Sequence, residues 1–195
     1  PVLFALLRDL RWVARCADDA ANAAAKQTLL THEHMEECAR LLNKAFSACA
    51  ADRFPGVEQS KKWGTYAVVN MVFGTYFQVR RRHSQLLQLK SIALCKNILR
   101  AMGAADLPPI EAYPRADVVT YRYYVGRLAF LDEDYTRVRR RMDARLTQAE
   151  SELYRALAMC PARAHKHMEY DAHAVLTQTI LLYLIPVRLL HGQRP

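Results

Sequence analysis

Between residues 61 and 80 the sequence KKWGTYAVVNMVFGTYFQVR leaves room for one kind of secondary structure. Trp63, Tyr66, Asn70, Phe73 and Phe77 recur at intervals of 3, 4, 3 and 4, a spacing that stacks side chains on one face of an α-helix. Val68, Val69 and Val72 make the other side apolar too, so this helix is expected to be buried on most of its surface. A helix covered on every side needs several others to cover it.

The same period runs through the rest of the chain. An alanine-rich segment over 2–24 places Leu3, Leu6, Leu10 and Val13 at helical spacing, with Arg8, Arg11 and Arg15 on another face. A second helix from about Thr31 carries Met35, Cys38, Leu42, Ala45 and Cys49, and FPG at 54–56 breaks it. Ser84 is a candidate cap for a helix with Leu89, Ile92, Cys95, Leu99 and Met102 as its stripe; Gly103 is expected to end it and Pro108-Pro109 to keep it ended. After the loop LPPIEAYP, Asp117 is a candidate N-cap for a helix striped by Val118, Tyr121, Val125 and Leu128, widened by Tyr124 and Leu131. A further helix follows Asp132–Asp134 and carries Leu146, Ala149, Leu153, Ala156 and Leu157. The last runs from about 168 to 191, with a kink expected at Pro186. No segment alternates with a period of two over enough residues for a sheet. The fold class is all-α, in antiparallel hairpins.

The stretch VTYRYYVGRLAFLDEDY, 119–135, crowds four tyrosines and a phenylalanine around one glycine. Gly126 costs about 1 kcal/mol in a helix interior relative to Ala, so its place in an apolar stripe needs a reason. In helical hairpins of the tetratricopeptide kind, a small residue lets two helices touch and an aromatic about nine positions later opens the second. Gly126 and Tyr135 have that spacing. These aromatics therefore read as core rather than as a surface for stacking bases, and Trp63, Gly126, Tyr135 and Pro186 read as structural.

A chain of 195 residues suits one domain, of elongated repeat type if the hairpins stack. Lys plus Arg is 28 against 19 for Asp plus Glu, a net charge of +9, which points to an anionic partner, nucleic acid or an acidic protein. Five scattered cysteines, none in a CxxC, read as buried thiols in the cytosol or nucleus. The opening PVLFALLRDLRWVARC is too often interrupted by charge for a signal peptide or a membrane span. It begins with Pro1 rather than Met, and we expect the numbered chain to be part of a longer one.

Catalytic and metal chemistry find little footing. His32, Glu36 and Cys38 in THEHMEEC lack the convergent ligands and the HExxH order of a zinc site, and Cys160, His165, His167 and His173 lack zinc-finger spacing. No glycine-rich phosphate loop or GxSxG elbow occurs, and six glycines in all leave few tight catalytic loops. The expectation is a protein that is not an enzyme and needs no cofactor or metal. The charge runs say more. Arg80, Arg81 and Arg82 close a helix, where basic residues suit the dipole. RVRRRMDAR, 137–145, holds Arg137, Arg139, Arg140, Arg141 and Arg145 with one acid. Such density suits phosphates or an acidic chain, so both runs are candidate contacts for nucleic acid or an acidic partner.

Taken together, KKWGTYAVVNMVFGTYF (61–77), LCKNILRAM (94–102), LPPIEAYPRADVVTYRYYVGRLAFLDEDY (107–135) and ILLYLIPVRLLHGQRP (180–195) resemble the PCI-domain family. The branch is that of PCI-domain-containing protein two, the Thp-one type and the signalosome subunit-twelve-like proteins. The match covers about 40–195, the helical-repeat part of a PCI domain, and leaves N-terminal helices over 1–39 unassigned. It implies a right-handed stack of helical hairpins leading into a winged helix, which would follow YLIPV and which we expect to be missing from the numbered residues. It also implies a non-enzymatic scaffold in the nucleus, at nuclear pores and partly in the cytoplasm. That scaffold would pair with a larger Sac-three or GANP-type PCI protein and a small acidic Sem-one or DSS-one-type protein, bind RNA or DNA through the complex, and couple transcription to mRNA export. The alternatives are a subunit-twelve-like role in transcription elongation and splicing, or a free-standing basic RNA-binding module. TRVRRRMDARLT (136–147) and AHKHMEYDAHAV (164–175) depart from the family pattern as insertions.

Overall fold

A computed structural model describes residues 2–25, 33–52, 60–80, 85–131, 139–160 and 172–192, with backbone alone at 25, 79–80, 85–91, 139–146 and 172–174. Within these residues there are seven α-helices and no strand. They are α1 (Val2–Ala25), α2 (Glu33–Ala50), α3 (Thr65–Arg80), α4 (Gln85–Ala104), α5 (Arg115–Leu131), α6 (Arg139–Met159) and α7 (Ala172–Leu190). Short 3-10 turns at Lys61–Gly64 and Ile110–Ala112 precede α3 and α5. The architecture is an all-α helical repeat. Contacts divide the chain into two compact units, Pro1–Ala112 and Tyr113–Pro195.

In the first unit α3 is the inner helix. Val68, Val69, Val72 and Phe73 are fully buried on different sides of it, with Tyr66, Tyr76 and Phe77 close behind. Each such side chain contributes roughly 1.5–3 kcal/mol when removed from water, so α3 anchors the unit. Its buried Thr75 hydroxyl is satisfied within the helix, donating to the Met71 carbonyl at 2.9 Å. Met35, Cys38, Leu42, Phe46 and Cys49 of α2 supply the opposing face. The two helices run antiparallel. Near the middle of α2, Asn43 Nδ2 donates to the Tyr76 hydroxyl at 2.6 Å, while the Cys49 sulfur lies 3.7 Å from where a Gly64 Cβ would stand. That Cβ would also meet the Phe4 ring at 2.8 Å, so Gly64 is the point where α1 reaches the start of α3.

The far end of α1 is tied down by a charge. Asp18 is only 2% exposed, and its carboxylate accepts the His34 N–H at 3.1 Å, the Met35 N–H at 3.0 Å and the His34 Nδ1–H at 2.8 Å. The first turn of α2 thus takes its cap from another helix, 16 residues away. The apolar stripe expected on α1 is turned mostly outward, with Leu10 half-buried at its edge. Leu7 and Ala14 are buried, whereas Leu3, Leu6 and Val13 are exposed, because the Asp18 cap and the Phe4 contact set the rotation of the helix.

Two helix boundaries differ from the sequence reading. α4 runs through Gly103 to Ala104, and the Ala105 N–H still bonds the Ala101 carbonyl at 3.0 Å. Gly103 is exposed with open space around it, and the chain bends only after the helix, where the Ala105 carbonyl accepts from the Leu107 N–H at 2.9 Å. α5 begins at Arg115, because the Pro114 carbonyl already accepts from the Asp117 and Val118 N–H groups at 2.9 and 3.2 Å. Asp117 is therefore in the first turn rather than at the cap; its half-burial pushes the carboxyl up from the ordinary value.

The second unit is built on the α5–α6 hairpin. Arg115 Nε donates to the Met159 carbonyl at 2.6 Å, and Arg122 Nη1 to Glu152 at 2.9 Å, pairings that fix an antiparallel register. Val119, Tyr123, Ala149, Leu153, Ala156, Ile180, Leu184 and Val187 form its core. α7 continues through Pro186 to Leu190. The carbonyl that Pro186 leaves without a partner belongs to Leu182, an exposed position where water can serve.

Candidate functional site

Gly126 is buried where α5 meets α6. A Cβ on it would stand 2.7 Å from Leu153 Cγ, 3.1 Å from Leu153 Cδ2 and 3.2 Å from the Ala149 carbonyl oxygen. The absence of a side chain is what lets the hairpin close. The aromatics beside it turn inward: Tyr123 packs on Tyr124 and Tyr183 at centroid distances of 5.1 and 6.1 Å, and Phe130 meets Tyr183 edge-on at 5.8 Å.

Among these rings lies a charge the periodicity gave no warning of. Arg127 is 7% exposed, sits 5.1 Å above the Tyr183 ring and donates to the Tyr123 hydroxyl at 3.1 Å. The π-face and the phenol oxygen together soften the desolvation of the guanidinium. Burial also pushes the Tyr123 hydroxyl above its ordinary pKa, an effect larger than the opposing pull of Arg127, so the phenol stays protonated at neutral pH.

Polar bonds also join the helices nearer the surface. Glu152 on α6 is held by Arg122 at 2.9 Å and by Arg155 at 3.2 Å. Glu150, two residues earlier, takes His191 Nδ1 at 2.7 Å and Arg188 at 3.4 Å from the end of α7. Arg122, Arg188 and His191 tie other segments to α6, Arg155 is on α6 itself, and both carboxylates are thereby engaged. Among the described residues no three His, Cys, Asp or Glu side chains converge as a metal site would require, and no helix is long and apolar enough to cross a membrane.

The described surface also exposes apolar side chains on two helices. On α1, Val2, Leu3, Leu6, Trp12 and Val13 are exposed; on α7, Val175, Leu182, Ile185 and Leu189 are exposed. The α7 positions fall at i, i+7, i+10 and i+14, one row along the side of the helix opposite the buried Ile180, Leu184 and Val187. Exposed apolar rows of this kind mark surfaces that meet other chains or segments. The sequence reading missed both. The signal was available in α7, whose 19 residues carry one charge, Arg188, more apolar surface than one buried face requires.

The residues proposed to contact an anionic partner fall at the margins. Arg80 is the last residue of α3, and Arg81, Arg82 and Arg137 lie outside the described residues. Arg139, Arg140, Arg141 and Arg145 are on the backbone of the first two turns of α6, their side chains outside the description. The first turn holds no acidic residue. Cations there oppose the positive end of the helix dipole, a placement that an anion alongside would relieve. Trp63 is half-buried in the 3-10 turn before α3, and Pro186 is inside α7. Tyr135 lies outside the described residues, as do His32, His165 and His167.

No family model matches the chain. Among curated proteins, it is 46% identical over 202 residues to a protein CSN12 homolog of Mycosarcoma maydis, covering all of this chain and 38% of that one. It is 35% identical over 206 residues to the Neurospora crassa protein CSN12 homolog, 97% of this chain and 39% of that one. It is 31% identical over 195 residues to PCI domain-containing protein 2 of Danio rerio, all of this chain and 40% of that one. The alignments include α1, and the chain spans about two fifths of the length of these relatives.

Proposed function

The chain belongs to the PCI-domain family, in the branch of the CSN12 homologues and PCI domain-containing protein 2, and from that premise we propose that it is part of a non-enzymatic scaffold subunit of a nuclear mRNA export complex. In this reading the protein pairs with a larger Sac-three or GANP-type PCI protein and a small acidic Sem-one or DSS-one-type protein. The assembly binds RNA or DNA and couples transcription to export, in the nucleus and at its pores. The observation that carries the reading is likeness along the whole chain to PCI domain-containing protein 2. Two physical features support it. The polar clusters are consumed in holding helices together, while apolar rows on α1 and α7 are left to dock other surfaces. The net charge of +9 suits an acidic polypeptide and a phosphate backbone.

The higher identity to the CSN12 homolog of Mycosarcoma maydis, 46% against 31% for the Danio rerio protein, favours a second reading, a subunit-twelve-like role in transcription elongation and splicing. Purifying the tagged full-length gene product from its own cells at moderate salt and identifying its companions separates the two. A large PCI protein with an acidic peptide and export factors supports the export reading; splicing or elongation factors instead support the second. Recovery with RNA and no protein companion would refute both in favour of a free-standing RNA-binding module.

A further inference from the structure

The rotation of α1 leaves its larger apolar side chains outside. Leu7, Ala14 and Asp18 face the fold, while Trp12 is 67%, Leu6 63% and Val13 54% exposed. At about 100° per residue, Val2, Leu6 and Val13 fall within roughly 40° of one another, and the row they make is about 16 Å long. Cys16 and Trp12 flank the row on one side and Leu3 on the other, and all three are exposed. The charge inside this arc is Asp9, and its carboxylate is 3.9 Å from Arg8. Arg8, Arg15 and Asp19 project together on a separate strip, with Arg15 and Asp19 3.8 Å apart.

We propose that this outer face of α1 is a packing surface for another helical segment of the same polypeptide, drawn from the part of the family's length that this chain does not span. A helix at the end of a repeat array has a polar outer face, because nothing stacks on it; an internal helix is apolar on both sides. α1 has the second character. The face also lacks the charge that would select an acidic protein or a phosphate backbone, so the occupant is apolar and of matching length. Sequence of that extent exists in the family: alignments of 195 to 206 residues take up only 38 to 40% of the relatives. The proposal rests on family membership and the exposure of α1, and stands whether or not the export role does.

Cys16 is a native reporter, exposed beside the row while Cys38, Cys49 and Cys95 are buried. The full-length gene product, shown to be monomeric by light scattering, is treated with a maleimide under native conditions and in denaturant, and labelling at each cysteine is followed by peptide mass spectrometry. Cys16 is expected to react at least about tenfold more slowly in the native monomer than in denaturant, as a thiol under a packed segment does. Val13→Cys and Leu6→Cys are expected to be protected likewise, and Val13→Asp to lower Tm. Rapid labelling of Cys16 in the native monomer overturns the proposal. So does protection that disappears on dilution, which would make the occupant a second copy, or protection that needs a co-purifying protein. The Cys16 measurement requires no substitution and survives a variant that does not fold.

Discussion

Replacing Gly126 by alanine sets two opposing effects against each other at one position. In the middle of α5 the change should favour the helix by about 1 kcal/mol, the usual penalty of glycine relative to alanine. Against this, the new methyl would stand 2.7 Å from Leu153 Cγ and 3.2 Å from the Ala149 carbonyl oxygen. Carbon atoms rest at roughly 3.5–4.0 Å, so the helices must part by nearly 1 Å or Leu153 must leave its rotamer. Leu153 is fully buried, and the crowded atom is its branch point rather than a free end. Overpacking of that kind costs about 1–3 kcal/mol, so Gly126→Ala should be net destabilising by about 1 kcal/mol. Gly126→Val, larger and with less propensity gain, should lose about 2–3 kcal/mol. Denaturant unfolding measures both, read as a lowered midpoint at unchanged slope. Leu153→Ala alone should cost about 2–5 kcal/mol, but part of that loss should be recovered with Gly126→Ala, a coupling of about 1 kcal/mol. Were Gly126→Ala more stable than the parent and uncoupled from Leu153, the close crossing of α5 and α6 would be refuted.

Asp18→Ala should cost about 1–3 kcal/mol by stripping the acceptor from two amides of α2, with Asp18→Asn in between; equal stability of all three would dismiss the cap. Burial raises the Asp117 carboxyl above its ordinary value of 3.8, so the fold favours the protonated form. Its contribution to stability is full below that ordinary value and is lost as pH rises through the folded-state pKa. Asp117→Asn should remove this fall from the stability–pH curve, and a superimposable curve would contradict it. Replacing Arg137, Arg141 and Arg145 by alanine should weaken single-stranded RNA binding and flatten its salt dependence by roughly 0.7 for each phosphate no longer neutralised. An unchanged slope in salt titrations would remove these arginines from the interface.

Helices were legible where the apolar spacing left a single choice of inward face, as in α2, or where every face was apolar, as in α3. Met35, Cys38, Leu42 and Cys49 of the expected α2 stripe and the α3 residues Val68, Val69, Val72 and Phe73 are buried as their spacing requires, while Ala45 is half-buried and its neighbour Phe46 takes the inward place. The same periodicity misjudged α1, because Leu3, Leu6 and Val13 do form an apolar row; which of two apolar rows faces inward depends on where Asp18 and Phe4 find partners, and no window of sequence contains them. Asp18 and Arg127 were invisible for a related reason. A charged residue reads as surface unless its partner is known, and these partners are the start of another helix and the Tyr183 ring. Boundaries slipped where local punctuation was weak: Gly103 adopts no left-handed turn, the positive-φ glycine among the described residues being Gly192 at φ 71°. The arginine runs were easy to see as sequence, but their role depends on an anion outside the chain.

The bond from Asp18 to α2 also says something about the order in which the chain comes together. A helix with its own N-cap can start before anything else has folded, since the cap is next to it in the chain. α2 has that cap 16 to 17 residues upstream on another helix, so its first turn closes only when α1 has arrived. Nucleating a helix is the costly step and lengthening it is cheap. The upstream carboxylate therefore couples the two helices into one cooperative event, and α2 should not persist as a helix while α1 is detached. In hydrogen exchange the His34 and Met35 amides should open together with α1 rather than fray like an ordinary helix end. The same coupling gives synthesis a useful sequence: α1 leaves the ribosome first and is present as a ready template when the start of α2 emerges.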